Sequence, residues 1–528
     1  MFSGFWQAFK EWNHQYFIDY FLIFLASLTL FGWLQASPTL PEPDSFYHAK
    51  MAQFLGQGQV LRQFPWMQAT ALKDDFVDHH FLYHLLLAPF VKIFDPLMGV
   101  KIATVLFASL LVLIIYWLFK KFAIKWPFIF IVVLLAAQPW LFRVSLVKAP
   151  AVFLILFLLA FNFLAHQKWL ALFLIGWLAV WLYAGWPLLL VLGVSYLFIF
   201  WLLEKFRAKD IFWHKLQNIF LKKSNLAPWF GLAWLSGGLL AGLILNPYFP
   251  SNLKFYWQQI IEIALINYQK IIGVGGEWYP YGLLKLVTDA PLIFSLLIVG
   301  WLLFILTYRK QSIYSYVWGI LAIIFFILTL KSRRYVEFFV PFSLIFSAFC
   351  LSDCFKRLPR FNLKNLIGPS WQAFFSLAFL ILAGGFLLAA PSDLAKAKVD
   401  IKSGWPTTHY QQAGQWLKSH APAGSVVFNA DWDDFPALFY YNDRNYYLTG
   451  LDPTFMYRHN QQQYWQYVEL TQGRFQGDLA VVLKNQFKAD YIFLDKDHQA
   501  FNNQLKYDSR FKLVYQDREA KIYQLLLP

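Results

Sequence analysis

Charge is what this sequence has least of. Only 14% of its 528 residues are charged, against roughly a quarter in a soluble protein, so one water-soluble core is excluded. Acids are the scarcer sign, 30 against 45 Lys and Arg, which leaves a net charge of +15. Cysteine is almost missing. Cys350 and Cys354 stand four apart on one predicted helix, near its cytoplasmic end, so there is no disulfide framework and the compartment must come from topology. A cleavable leader is not expected, because the first apolar block follows Lys10 and is long enough to stay in the membrane. Internal repeats and low-complexity tracts are also lacking.

What is plentiful is apolar. The chain is 59% hydrophobic and 21% aromatic, and its apolar residues fall in blocks of membrane-spanning length instead of amphipathic stripes. Spans are expected at Tyr16–Ala36, Met98–Phe119, Trp126–Phe142, Ala149–Ala165, Trp169–Ala184 and Trp186–Leu203. Further spans are expected at Ala227–Leu245, Pro291–Tyr308, Tyr314–Leu330, Tyr335–Leu351 and Trp371–Ala390. The basic residues collect in alternate loops: Lys120, Lys121 and Lys125; Lys168; Lys205 through Lys223; Arg309 and Lys310; Lys356 through Lys364. That is the bias of cytoplasmic loops and not a nucleic-acid-binding face. With a cytoplasmic N-terminus, an odd number of spans places everything after Ala390 outside.

The expected fold is a polytopic α-helical membrane protein, with about eleven transmembrane helices in residues 1–390. A small extracytoplasmic α/β domain follows in residues 391–528. There Gln411–His420 reads as helix, and Ser425–Asn429, Tyr491–Leu494, Lys512–Tyr515 and Ile522–Leu526 as strands. Asp517-Arg518-Glu519 suits a hairpin turn. The expected location is a bacterial inner membrane.

Two outer segments are long, residues 37–97 and 246–290, and long loops in such a topology tend to carry function. In the first, Pro41-Glu42-Pro43-Asp44 leads into a helix starting near Asp44. Asp44 is either that helix's N-cap or an acid at the membrane surface able to act as general base or bind a divalent cation. Asp78, His79 and His80 follow, with His84 one turn on; they suit metal ligation, or a solvated loop feeding an amphipathic helix. Glu277 lies in the second segment. A third, short outer segment holds Lys331, Arg333 and Arg334, three cations on the side where cations are disfavoured.

These motifs resemble those of the GT-C glycosyltransferases, which include protein O-mannosyltransferases, lipid A aminoarabinose transferases and oligosaccharyltransferase catalytic subunits. Asp44-Ser45-Phe46-Tyr47-His48 is similar to the acidic first-loop motif of that superfamily. Asp78-His79-His80 and Asn246-Pro247-Tyr248 look like elements of archaeal and bacterial oligosaccharyltransferase subunits. Asp431-Trp432-Asp433-Asp434-Phe435, followed by Asn445 through Asp452, is similar to their acceptor-reading Trp-Trp-Asp-Tyr-Gly region. Three features depart from the pattern. The tail motif lacks the tandem Trp and the Gly. The turn Arg143 to Lys148 carries cations where oligosaccharyltransferases place an acidic pair. The span count suits O-mannosyltransferase-like enzymes better.

The resemblance implies transfer of a sugar, or a preassembled glycan, from a polyprenyl phosphate or diphosphate donor to a protein, lipid or glycan acceptor at the outer face. It makes Asp44 a base or metal ligand, Glu277 a catalytic support, and Asp78, His79 and His80 partners for a divalent ion, Mg2+ or Mn2+. Lys331, Arg333 and Arg334 would hold donor phosphate, with Arg143 and Lys148 as further candidates; arginine suits this because its fork donates two hydrogen bonds at once. Alternatively Arg333 pairs with Glu337 one turn on. Trp432, Asp433 and Asp434 would contact acceptor, unless Trp432 and Phe435 anchor the tail while Asp431 and Asp433 cap the next helix. Two rival readings remain, an asparagine-modifying oligosaccharyltransferase and a transporter or flippase of a polyprenyl-linked lipid. The transporter fits less well, since the spans are nearly free of charge and the acids gather in outer loops.

Overall fold

A computed structural model describes residues 17–207, 229–357 and 389–527. Among them, six helices are long and apolar enough to cross a membrane: Ile18–Gln35, Pro96–Lys121, Leu188–Lys205, Pro291–Lys310, Ile313–Lys331 and Arg333–Lys356. Four expected spans take another form. Trp126–Phe142 is two helices, Pro127–Leu134 and Gln138–Val144, bent by 77°. Pro139 lacks a backbone N–H and so fits only a helix's first turn, which restarts the chain at Gln138. Pro150–Ala165, Trp169–Leu182 and Trp229–Ile244 are apolar but shorter. The last two pack backbone to backbone: a Cβ on Gly238 would meet the Phe173 carbonyl, so only glycine permits that approach. The eleventh expected span lies almost wholly outside the described residues.

The first span ends where the first outer loop begins, and two lysines secure that end. Lys101 donates to the Gln35 and Ser37 carbonyls, and Lys398 to those of Trp33, Leu34 and Ala36. Cations here satisfy the orphan carbonyls of a helix C-terminus and oppose its dipole. The loop then pairs Thr39–Leu40 (β1) antiparallel with Trp405–Pro406 (β2) of the tail. It continues into the helix Asp44–Gly56, which buries Phe46, Ala49 and Met51.

The tail is an α/β unit around a five-stranded sheet. Its strands are Val426–Asn429 (β3), Tyr446–Tyr447 (β4), Tyr491–Leu494 (β5), Phe511–Gln516 (β6) and Lys521–Leu525 (β7), ordered β4-β3-β5-β7-β6. The expected helix and four strands occur within a residue or so of their read bounds. Asp517 builds the hairpin turn by accepting from the Glu519 and Ala520 amides. β3 and β5 are buried on both faces, as a parallel pair requires. The first loop closes the sheet's β4 edge: Tyr447 donates to Trp66, and Gln68 and Ala69 donate back to Tyr447 and Leu448. Phe64 and Trp66 then pack against Phe439, the first edge-on and the second tilted, with ring centroids 5.2 and 5.0 Å away. Loop and tail therefore form one body with a shared core.

Candidate active site

At the junction of bundle, both long loops and tail lies a cavity of about 490 Å3. Its polar lining includes Asp44, His48, Lys148, Glu277 and Arg334. Its apolar lining includes Leu188, Val191, Ile263, Ile324 and Leu328, and comes largely from spans. Leu451, Asp452 and Phe455 of the tail reach into it.

Asp44 opens its helix, but its carboxylate caps nothing there; Pro43 holds the N-cap position without a side-chain bond. The carboxylate instead faces Lys148 at 3.1 Å. The same ammonium lies 2.6 Å from Glu42 and 3.5 Å from Glu277. Glu277 also pairs with Arg143 at 2.7 Å and Arg334 at 3.5 Å. Burial raises the Glu277 carboxyl, but Lys148, Arg334 and Arg143 overcome that and hold it well below the usual range. Glu42 lies the other way: burial, opposed by Lys148, pushes it up to about 7. For Lys148 burial disfavours the charge, yet the three carboxylates together raise the ammonium above its ordinary value.

The four expected phosphate-binding cations separate. Arg334 faces the cavity, stacks 4.2 Å over Trp278 and donates to the Tyr183 hydroxyl. Arg143 lies behind it, buried between Glu277 and Glu337. Arg333 is exposed and donates to the Pro280 carbonyl, and Lys331 donates to that of Leu265. Neither lines the cavity. The alternative pairing of Arg333 with Glu337 does not occur, since the 3-10 turn Arg333–Tyr335 points Arg333 outward and leaves Glu337 to Arg143.

Asp78, His79 and His80 do not form a ligand set. Asp78 binds His84 Nδ1 at 2.7 Å and accepts from the His80 amide. His84 Nε2 meets His48 Nδ1 at 2.8 Å. The hydrogen-bond direction follows. A carboxylate can only accept, so His84 donates to Asp78 from Nδ1, and one proton is shared between its Nε2 and His48 Nδ1. Burial lowers His48 and His79 well below the ordinary imidazole range and His80 to about 3, so these three rings are neutral. His79 packs on Phe255 with ring centroids 5.1 Å apart. Among the described residues, no group of three or more His, Cys, Asp or Glu side chains is gathered to hold a metal ion. The expected ligands are committed elsewhere, Asp78 to histidine and Asp44 to an ammonium, so the site does not fit the expected Mg2+ or Mn2+.

In the tail motif, Asp433 lies near enough to Asp44 to feel its charge; burial, then Asp44 and Asp431, push it up to about 8. Trp432 and Asp431 line a separate cavity of about 460 Å3 with Tyr464, Trp465 and His498. Asp434 faces neither cavity and is buried against the Tyr410 hydroxyl. Asp431 accepts from the Asp433 amide, and the following helix has no side-chain cap.

No family profile and no curated protein matches the sequence. Solved structures do match in shape. An oligosaccharyltransferase from Archaeoglobus fulgidus superposes with a TM-score of 0.61 at 13% identity, over 90% of this chain and 69% of that one. The fold is that of the GT-C glycosyltransferases. ArnT from Cupriavidus metallidurans aligns over 96% of this chain and 98% of its own, with a TM-score of 0.52 at 13% identity. Mycobacterial arabinofuranosyltransferase AftD gives 0.56 at 12% identity, over 96% of this chain and 40% of AftD. Within this GT-C fold, Glu42, His48 and His84 are site residues that motif reading did not assign, and Lys148 was read only as a further candidate for donor phosphate. Lys148 carried one signal, a cation in an outer turn where an acidic pair was expected.

Proposed function

We propose that this chain is a GT-C glycosyltransferase that moves a sugar or glycan from a polyprenyl phosphate or diphosphate donor to an acceptor at the outer membrane face. One observation carries the reading: a single cavity joins a cluster of cations and acids to an apolar wall made largely by spans. An amphiphile with an anionic head and a hydrocarbon tail matches that division. The Archaeoglobus AglB structure was solved with an inhibitory peptide and dolichol-phosphate, a molecule of this kind.

In this reading the bond between the sugar's anomeric carbon and the phosphate oxygen breaks, and its electron pair stays on the phosphate. Arg334 and Lys148 offset that charge. Asp44 takes the proton from the acceptor's N–H or O–H as its heteroatom bonds to the anomeric carbon. Trp432, Asp433 and the Asp452 turn, on the tail side, are assigned to acceptor. Mass spectrometry of surface glycans and glycoproteins should show one feature lost both on gene deletion and in cells carrying Asp44→Asn. An unchanged profile in the deletion overturns the proposal. Reporter fusions after Pro250 and Pro391 should read the outer side; a cytoplasmic signal at either breaks the shared face this chemistry needs.

A further inference from the structure

We propose that Lys148 is the resident cation of this site, holding among Glu42, Asp44 and Glu277 the place that a divalent metal would otherwise take. An ammonium has three N–H donors and no acceptor. Here three carboxylates converge on one Nζ, at 2.6, 3.1 and 3.5 Å. Its donors are thereby matched in number by carboxyl acceptors from two separate parts of the chain, the Glu42–Asp44 segment and the loop that carries Glu277. Those spacings are hydrogen-bond distances, whereas Mg2+ draws its oxygens in to about 2.1 Å.

The position is built into the backbone. Lys148 sits in the turn between the helices Gln138–Val144 and Pro150–Ala165, where its amide donates to the Leu146 carbonyl at 2.8 Å. The side chain is 14% exposed, and that exposure is toward the cavity it lines with Arg334. Arg143 completes the arrangement by taking the other side of Glu277, so the acid cannot swing away from Lys148 without abandoning a second charge. A dication entering this cage would have to displace an ammonium already paired three times. What the ammonium then does, offsetting charge on a departing phosphate, rests on the glycosyltransferase reading. Its occupation of the cage does not.

The test reads ion binding first and activity second. Electron paramagnetic resonance titrations of Mn2+ are made on the detergent-purified full chain, without substrate. The wild type is expected to show no Mn2+ site that depends on Asp44. Lys148→Ala, folded by its thermal melt, is expected to gain one such site, with affinity about tenfold or more above wild type. Adding Asp44→Asn to that variant should remove it. An Asp44-dependent Mn2+ site in the wild type overturns the proposal, and so does a folded Lys148→Ala variant that gains none. If Lys148→Ala does not fold, the wild-type titration decides alone. Once an acceptor is found, wild-type transfer should be unchanged by EDTA, and loss restored by Mn2+ again overturns the proposal. Because the titration needs no donor, it decides who occupies the cage even if the glycosyltransferase reading fails.

Discussion

Two polar clusters lie side by side beneath the tail, and they are built on opposite principles. Around Lys148 the groups are ionic and shared: one ammonium serves three carboxylates, and Glu277 serves three cations. Around Asp78 the groups form a line, carboxylate to His84 to His48, in which each hydrogen bond fixes the next. A shared cluster can redistribute charge when a substrate arrives, because Lys148 and Glu277 at its centre each have three partners. A line cannot, and it holds a ring in one orientation instead. Both clusters reach the same cavity, one offering charge and the other a neutral imidazole at His48.

The largest expected break is in the ionic cluster. Asp44→Asn should lower transfer about a hundredfold or more, in the range of losing a general base, while the thermal melt stays near wild type. Near-normal turnover would remove Asp44 from catalysis. Next, Arg334→Gln should weaken binding of a short-chain polyprenyl phosphate by about ten- to a hundredfold, as for a lost charged hydrogen bond worth ~1.5–3 kcal/mol. Its neighbour Arg333→Gln should leave that affinity unchanged; equal losses in both would refute the separation of the two arginines.

The line should fail differently. His84→Ala leaves Asp78 buried without its histidine partner, a cost of about 1–3 kcal/mol seen first as a lower melting temperature. Asp78→Asn should lower it too, whereas a stable His84→Ala protein would mean that water replaces the relay. A further effect concerns pH. Glu42 is raised in the folded state to about 7, so the native chain binds more protons than the unfolded one between about pH 4.5 and 7. That contribution is complete below the unfolded value and is lost as pH rises through the folded one. Melting curves should show stability falling across this window, by at most ~3 kcal/mol from this group. Glu42→Gln should flatten the slope, and an unchanged slope would place its origin elsewhere.

The sequence made some of this visible, and the reasons are physical. Span composition and loop charge are local properties, so the membrane class and most helices could be read directly, as could the tail's strands. Asp44 could be read because a short motif carried it. The relay could not: His48 and His84 are 36 residues apart, on two helices whose packing no local pattern encodes. Arg333 and Arg334 are adjacent letters with opposite fates, since which one faces the cavity depends on a single turn of 3-10 helix. The bend at Gln138–Pro139 was open to view as a proline, yet its effect, bringing Arg143 behind Glu277, depends on a loop more than a hundred residues away.

The pairing of β1 with β2 bears on how the molecule is made. Thr407 closes that contact by donating to Pro38, 369 positions earlier. During synthesis the spans can enter the bilayer one after another, each on its own hydrophobicity. The floor of the cavity is thus laid down early, but Leu451, Asp452 and Phe455, also part of its lining, are made only after the described spans. A nascent or prematurely terminated chain would sit in the membrane with its acids and arginines open to water and no roof over them. The chain's order of assembly therefore keeps the site incomplete until the tail segment through Phe455 has been made and has docked.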